Sequence, residues 1–331
     1  FFSSRRRHTR FRNVTGVQTC ALPISLLSSW TGAFGEAPFH LIQTGHYGPA
    51  IRQTLDLARE RLKALRENPA APDFENTIVA LETLSEPLDR ASGIFFNLVE
   101  AESNDEMRAL AKELSPLISA FANDLQLDPV IFQKVKAVHD GMAGLKLSTE
   151  QQRLLEKTYK SFARNGALLP DADKAKLRAI DEELSRLGPQ YSDNVLKATN
   201  SKEFFIADRS RLEGIPDSAL EAAQEAAAGK GRPGEWLFTL DVPSFLPLVT
   251  YCRDRALREE IWRAYNSRAL GGEFDNREPL KRIAVLRHQR AKVLGYETHA
   301  HYVLEERMAR DRKSTRLNSS HVSESRMPSS A

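Results

Sequence analysis

The sequence predicts an all-α protein, mainly helical, with at most one small two-stranded β element. Apolar residues recur at helical spacing nearly throughout residues 51–199, whereas strand-like segments are short and rare. The 331 residues are 41% hydrophobic and 27% charged, which is ordinary for a globular chain. No run of 18 apolar residues occurs, so the sequence excludes a membrane-spanning helix of the usual kind.

The clearest helix start lies at Ser148. Ser148 and Gln151 have the spacing of a capping box, and Leu155 and Phe162 lie on one face of the helix that follows. Gly166 supplies the left-handed residue that ends such a helix. A second long helix carries one apolar stripe, formed by Leu177, Ile180, Leu184, Leu187 and Tyr191. Pro189 falls inside this stripe and predicts a kink there.

Helical periodicity also predicts helices in other parts of the chain, before and after the two helices above. They cover about 76–92, 104–125, 129–140, 217–229, 255–269, 276–294 and 297–308. Two aromatic segments bounded by turn residues predict short strands near 203–208 and 236–241. We expect these two segments to pair as a hairpin or sheet edge on a helical body.

The positive charge of the chain lies at its ends. Residues 1–25 contain five Arg and no acidic residue, and 312–331 have a net charge of +3. The whole chain has a net charge of +3, so the interior, 26–311, is at −5. An acidic body argues against nucleic-acid binding, which the two basic ends alone would have to provide.

Neither end has the pattern of a folded segment. An Arg-rich, acid-free N-terminus is typical of a transit peptide, and clustered Arg can also bind phosphate. A third interpretation is better, because both ends resemble translated read-through of sequencing adapters. The strings are RRRHTRFRNVTGVQTCALPI and KSTRLNSSHVSESRMPSSA. We therefore expect 1–25 and 312–331 to be non-native and disordered, and the gene product to continue beyond both.

Three glycines, Gly229, Gly231 and Gly234, match the dinucleotide-binding pattern G-x-G-x-x-G. That pattern requires a strand before the loop and a helix after it, so that the helix N-terminus meets the pyrophosphate. Here the predicted order is reversed, with a helix before and a strand after. We therefore predict a flexible turn at this position.

Histidine patterns predict no metal site in this chain. A zinc-peptidase helix carries H-E-x-x-H, in which two imidazoles one turn apart bind the metal. None of the eight His is followed by Glu. His299 and His301 form H-x-H, but positions i and i+2 of a helix point about 200° apart and cannot share a metal. The sequence thus predicts no catalytic and no metal-binding residue, and substrate-binding residues stay unknown.

Two further features have plain structural interpretations. Cys252 is the one cysteine of the interior, and nothing around it resembles a nucleophile signature, so we predict a buried thiol. The acidic run at 181–183 lies opposite the apolar stripe of its helix, and we predict that it forms a solvated face.

A series of strings in the interior resembles one protein family. The strings are Ala71–Ile78, Ile94–Leu98, Ala101–Glu106, Leu169–Leu187, Asn194–Leu196, Trp236–Phe245, Leu257–Arg258, Ala264–Ala269, Leu286–Tyr296 and Leu304–Ala309. In this order they resemble the thimet oligopeptidase family of zinc metallopeptidases. The bacterial peptidyl-dipeptidase branch is the most similar, with oligopeptidase A as the nearest alternative.

The resemblance implies an almost wholly helical protein in which two lobes flank a deep channel that admits short peptides. It implies the N-terminal helical lobe at 26–240 and the truncated start of the catalytic domain at 241–311. The family's zinc helix would lie beyond 311, so zinc is implied for the full-length protein and not for this chain.

The resemblance also implies an activity, which in the peptidyl-dipeptidase branch is release of C-terminal dipeptides. This chain itself is expected to be inactive. A full-length monomer is implied, with short peptides as partners, no nucleic acid and no membrane. We expect a cytoplasmic location, and a periplasmic one stays open because the true N-terminus is not seen. The alternatives are an oligopeptidase A-type endopeptidase fragment, a non-catalytic helical binding module, or a nucleic-acid binder that uses the basic ends.

Overall fold

The computed structural model describes residues 24–28, 30 and 33–308, so the two predicted flanks fall almost wholly outside it. Within this part the helices are α1 Ile24–Leu27, α2 Thr44–Glu67, α3 Ala80–Glu82, α4 Glu86–Ala101, α5 Asp105–Gln126, α6 Pro129–Asp140, α7 Thr149–Arg164, α8 Asp171–Asn200, α9 Asp217–Gly229, α10 Val242–Tyr251, α11 Arg255–Asn266, α12 Arg277–Val293 and α13 His299–Leu304. A π-helical turn covers Phe74–Val79, and short 3-10 turns cover Ala33–Gly35, Phe39–Leu41, Met142–Gly144 and Arg209–Leu212. The prediction of a mainly helical protein is confirmed.

The two predicted strands form one antiparallel pair. Strand β1, Glu203–Ile206, pairs with β2, Trp236–Thr239, in a register that places Phe205 opposite Leu237. Helix α9 lies between the two strands in the chain and packs against β2. The pair therefore forms a small sheet on the side of a helical body, as the aromatic segments predict.

Helix α7 begins as the capping box at Ser148 predicts. The Ser148 hydroxyl accepts a hydrogen bond from the Gln151 amide at 3.2 Å, and the Gln151 side chain accepts one from the Ser148 amide at 2.9 Å. Leu155 and Phe162 of α7 are buried in the adjacent core. Gly166 follows the helix with a φ of +103°, in the region that favours glycine.

Replacement of Ser148 by alanine is expected to destabilise the chain by about 1 kcal/mol, the usual effect of losing an N-cap side chain. The first turn of α7 would then lose the hydroxyl that satisfies the Gln151 amide. Urea denaturation followed by circular dichroism measures the change. Thr149→Ala is the matched control, because Thr149 is exposed and does not cap the helix. Equal effects of the two substitutions would contradict the assigned cap.

The prediction of one helix over 76–92 is wrong, because this segment is divided. The π-helical turn and α3 end near Thr83, and α4 starts at Glu86. Asp73 caps the π-helical turn by accepting a hydrogen bond from the Asn76 amide at 2.7 Å. Pro87 lies in the first turn of α4, where its missing N–H costs nothing, so a new helix starts there.

Two helices near the end of the described chain are shorter than the periodicity predicts. Helix α11 ends at Asn266 rather than 269, and Ala269 has a φ of +54° in the turn that follows. Helix α13 covers only 299–304 of the predicted 297–308. Thr298 fixes its start by accepting a hydrogen bond from the His301 amide. Apolar spacing alone does not locate these two ends.

Helix α8 is the longest helix described and runs through Pro189 without interruption. Leu177 and Ile180 of its apolar stripe are buried, whereas Leu184, Leu187 and Tyr191 are half-buried. Helix α8 packs against α5 on one side and against α12 on another. It therefore connects the first part of the chain to the segment that follows α11.

Two hydrophobic clusters form the core. The first joins buried residues between 26 and 167, and the second joins residues between 206 and 261. Leu240 and Leu248 are both fully buried in the second cluster, which is therefore continuous across position 240. The division into 26–240 and 241–311 stays a prediction. None of the helices in the described ranges is both long enough and apolar enough to cross a membrane.

Candidate functional site

A cleft of about 780 Å³ opens between the α4–α5 corner and the C-terminal half of α8. This volume lies in the range of small-ligand sites in proteins. Apolar side chains from both helices form its walls, among them Phe96, Val99 and Leu196. Arg108 and Asp193 also line it and bring opposite charges to the same place.

Asp193 is the centre of a charge cluster beside this cleft. Its side chain is only 4% exposed, and Arg108 Nε and Lys197 Nζ lie 3.1 and 3.2 Å from its two carboxylate oxygens. Lys112 also donates a hydrogen bond to Oδ2. Lys112 and Arg108 come from α5, so this cluster joins α5 to α8. No motif in the sequence predicts a role for any of these four residues.

The cations around Asp193 determine its protonation. Burial by itself raises the pKa of a carboxyl group, because the charged form loses water. Hydrogen bonds from Lys112 and Lys197 outweigh this effect and lower the pKa of Asp193 below its usual value. The carboxylate is therefore charged at neutral pH, as a buried carboxylate among cations must be.

One contact in the cluster is an ion pair without a hydrogen bond. Arg108 Nε and Asp193 Oδ1 lie 3.1 Å apart, yet both atoms are buried and neither has a hydrogen-bond partner. The N–H of Arg108 therefore does not point at the carboxylate oxygen, although the opposite charges attract. Buried polar atoms without such partners are rare and need an explanation.

The mouth of the cleft is negatively charged. Glu100 and Glu102 line it, are exposed, and form no ion pair with another described residue. Helix α4 ends beside them at Ala101 with no basic residue in its last turn, and α8 ends at Asn200 on the other wall. Helix C-termini carry partial negative charge. Lys197 stands in the last turn of α8, so it is the end of α4 that reinforces the two carboxylates.

This arrangement of apolar walls and charged groups can bind a ligand. The cleft lining includes Ser103 and Ser192, but no histidine lies among the described lining residues to activate a hydroxyl. Its charges are either paired, as at Asp193, or exposed at the mouth.

The two histidines of the H-x-H pattern lie outside this cleft, on the short helix α13. His301 contacts the Thr298 hydroxyl through Nδ1 at 2.9 Å and lies 3.6 Å from the Glu297 carboxylate. His299 is half-buried, and burial together with nearby Arg287 and Arg290 lowers its pKa. The two rings thus have different surroundings.

Within the described residues, no three His, Cys, Asp or Glu side chains come together in a way that could hold a metal ion. Residues 24–28, 30 and 33–308 therefore do not form the three- or four-ligand site that zinc requires.

Cys252 is buried, as predicted. It is 2% exposed and belongs to the second hydrophobic cluster, where its Sγ lies 3.2 Å from the Arg211 carbonyl oxygen. Burial raises the pKa of this thiol, so the reactive thiolate is disfavoured. The interpretation of Cys252 as a structural residue agrees with these surroundings.

The prediction of a solvated face at 181–183 is wrong for Asp181. Arg290 of α12 donates to Asp181 at 2.7 Å, and both side chains are less than a fifth exposed. Glu183 forms a second pair with Arg282 at 2.5 Å, in a more exposed position. Packing of α12 on α8 covers this face, and the periodicity of one helix cannot reveal a partner helix.

The glycine pattern at 229–234 is a turn, as predicted. Helix α9 precedes it and β2 follows it, and Gly231 and Gly234 have φ values of +76° and +90°. This is the reverse of the strand–loop–helix order that a pyrophosphate site requires.

The fold therefore presents a helical protein with a ligand-sized cleft, and two segments match known families. Residues 51–174 match the family described as Neurolysin/Thimet oligopeptidase, N-terminal domain. Residues 248–328 match Peptidase family M3. These findings show that the chain belongs to peptidase family M3, which is a family of metallopeptidases. The second match extends across 312–328, which lie in the predicted non-native tail.

Curated relatives of both predicted branches are similar to this chain. Dipeptidyl carboxypeptidase of Escherichia coli is 34% identical over 273 residues, which are 82% of this chain and 40% of the relative. Probable cytosolic oligopeptidase A of Arabidopsis thaliana is 34% identical over 290 residues, 86% of this chain and 41% of the relative. Oligopeptidase A of Escherichia coli is 33% identical over 281 residues, which are 83% of this chain and 41% of the relative. The predicted family is confirmed, and the chain spans about two fifths of these relatives.

Proposed function

We propose that this chain is the N-terminal part of a zinc metallopeptidase that hydrolyses short peptides. One observation carries this proposal: the two family segments occur in order, at 51–174 and 248–328, in a chain that spans about two fifths of its relatives. The chain would supply one helical wall of a peptide channel. Zinc and the groups that act on the scissile bond would come from the remaining three fifths of the protein.

For the specificity we propose release of C-terminal dipeptides. The strings at Ile94–Leu98 and Ala101–Glu106 support it, because they resemble the peptidyl-dipeptidase branch. An oligopeptidase A-type endopeptidase is the alternative, since the relatives of both names have nearly equal identity to this chain. The two activities differ in product: the first removes dipeptides from one end, and the second cuts internally.

The chain as given would have no hydrolytic activity. This part of the proposal rests on the printed sequence, in which no His is followed by Glu, so the H-E-x-x-H helix is absent from it. The proposed whole protein acts as a monomer on short peptides, without nucleic acid or membrane. A cytoplasmic location is supported by the name of one relative, a probable cytosolic oligopeptidase A.

A longer product of the source gene tests the proposal. We expect DNA read past position 312 to encode H-E-x-x-H, and the purified product to release C-terminal dipeptides from amino-blocked pentapeptides. Mass spectrometry of the products distinguishes dipeptide release from internal cleavage. A chelator is expected to abolish the activity and added zinc to restore it, because a bound zinc ion would activate water for hydrolysis.

Two results would contradict the proposal. Zinc-dependent cleavage by the purified 331-residue chain would show that the chain is not an inactive part. A longer product that lacks the zinc helix, or that has it and leaves all peptides intact, would contradict the proposed activity. A variant in which the first His of H-E-x-x-H is replaced by Ala serves as the inactive control.

A further inference from the structure

We propose that the outer face of α10 is the docking surface for the three fifths of the whole protein that lie outside this chain. This face is formed by Val242, Pro243, Leu246, Pro247 and Tyr251. The inference rests on the proposed function for the existence of that larger part, and it assigns the contact to this chain's own residues. The contact itself requires no zinc and no catalytic group.

Helix α10 has an unusual composition for a helix at a protein surface. Among the described helices of ten or more residues, only α10 has no charged side chain, and its sequence is VPSFLPLVTY. A surface helix normally turns charged or polar residues toward water, whereas a helix that is apolar on every side is typical of a buried position. The sequence of α10 therefore fits a helix that is covered all round.

One side of α10 is already covered and fixes its orientation. The ring of Phe245 stacks on the ring of Tyr265 of α11, with 4.0 Å between their centroids. Leu248 is fully buried in the second hydrophobic cluster, and Cys252 follows it there directly after the helix. Because these contacts hold the inner side in place, α10 cannot bury its other side by turning about its own axis.

The opposite side of α10 is apolar and faces solvent. Val242, Leu246 and Tyr251 are 55%, 54% and 54% exposed. At about 100° per residue these three lie in one half of the helix circumference, and Phe245 and Leu248 lie in the other half. Single exposed apolar residues are ordinary, but a contiguous apolar face indicates an interaction site. The outer face of α10 is therefore a surface that lacks a partner among the described residues.

The size of this face favours a partner from the same polypeptide over a second copy of the chain. Helix α10 has ten residues and is therefore about 15 Å long. A stable interface between two proteins buries about 800 Å² on each partner, which is far more than one side of such a short helix presents. A contact within one polypeptide does not bear the cost of bringing two molecules together, so a smaller apolar face is sufficient.

The position of α10 in the chain agrees with this occupant. The match to Peptidase family M3 begins at residue 248, inside α10. This chain covers 40% and 41% of two curated relatives, so most of such a protein lies outside it. We expect the docking segment to bring apolar side chains, because a charge buried against a helix without charged residues would have no partner.

Maleimide labelling of a cysteine placed on the outer face of α10 tests the inference. Leu246→Cys is introduced into the 331-residue chain and into the longer gene product, with Cys20→Ser in both, so that the buried Cys252 is the only other thiol of this segment. Mass spectrometry follows the peptide that contains position 246. Labelling is expected to be at least about 10-fold slower in the longer product, because a covered side chain reacts only when the contact opens.

Leu57→Cys is the matched control, because Leu57 is an exposed leucine on α2 with charged Asp56 and Arg59 beside it. Its labelling rate is expected to be the same in both lengths. Val242→Cys, one turn before Leu246, is expected to be slowed as Leu246→Cys is.

Four results would overturn the inference. The first two are equal rates at position 246 in both lengths and an equal slowing at position 57. The third is slow labelling of position 246 in the 331-residue chain, since the face would then be covered without the rest of the protein. The fourth is a slowing that depends on protein concentration, since a second copy would then be the occupant.

Labelling and hydrolysis are measured separately, so the two proposals can fail separately. A longer product that cleaves peptides but leaves position 246 as reactive as in the 331-residue chain would overturn the docking surface alone. A longer product that protects position 246 but cleaves nothing would contradict the proposed function alone. A source gene that encodes nothing beyond this chain would overturn both.

Discussion

Replacement of Asp193 by alanine is expected to lower the free energy of unfolding by about 3 kcal/mol. Removing one member of a buried ion pair typically costs about 3–5 kcal/mol, because the partner charges are left without compensation. We expect the lower end of this range, since Lys112 and Lys197 are about two fifths exposed and stay partly hydrated. Arg108, at 17% exposed, would bear most of the cost. Urea denaturation followed by circular dichroism measures the change.

A surface carboxylate provides the comparison for Asp193. Asp124 pairs with Arg178 at 2.6 Å, but about half of each side chain is exposed. Asp124→Ala is expected to cost less than about 1 kcal/mol, as exposed pairs usually do. Similar losses at the two positions would mean that burial of Asp193 has no energetic consequence.

The pH dependence of stability gives an independent check on Asp193. Its folded-state pKa is lowered, so its contribution is complete above the unfolded carboxyl pKa of about 3.9. Below that value the unfolded state takes up the proton first, and the contribution is lost as pH falls toward the folded-state pKa. The stability difference between the wild-type chain and Asp193→Asn should therefore shrink below about pH 4. A difference that stays constant between pH 7 and pH 3 would contradict the ion-pair account.

The fold could be predicted from sequence wherever a local signal fixed an element. The capping pair at Ser148 and Gln151, and the Pro129 start of α6 after Asp128, are signals of this kind. Their chemistry acts within one turn, so no distant residue is needed to read it. The break before α4 was missed because apolar spacing continues across it, although Pro87 marks the new start.

The candidate site could not be predicted in the same way, because its residues meet only in the folded protein. Arg108 and Lys112 lie one turn apart on α5, and Asp193 and Lys197 lie one turn apart on α8. Within the sequence of either helix alone, such a pair of charged residues resembles an ordinary solvated face. Only the packing of α5 on α8 buries Asp193 and brings three cations around it. The same reason explains why the prediction of a solvated Asp181 is wrong, since α12 covers this residue.

Replacement of Gly214 by alanine is expected to have the second large effect. Gly214 has a φ of +92°, and a Cβ atom there would lie 2.4 Å from the backbone oxygen of Tyr251. The Arg253 amide also donates to the Glu213 carbonyl oxygen at 2.7 Å, so the two segments are held together next to the clash. We expect a loss of about 2–5 kcal/mol, combining the positive φ with backbone displacement. Thermal unfolding followed by circular dichroism measures the loss.

A substitution at Gly231 distinguishes the cost of the positive φ at Gly214 from the cost of the clash with Tyr251. Gly231 has a φ of +76°, but a Cβ atom there would meet nothing within 4 Å. Gly231→Ala should therefore cost only about 1–2 kcal/mol, the effect of the backbone conformation. The excess at Gly214, about 1–3 kcal/mol, then measures the contact between the Gly214 turn and the end of α10. Because this contact joins residues on both sides of position 240, a large excess means that packing across this position stabilises the chain, and equal losses at both glycines would mean that the contact contributes nothing.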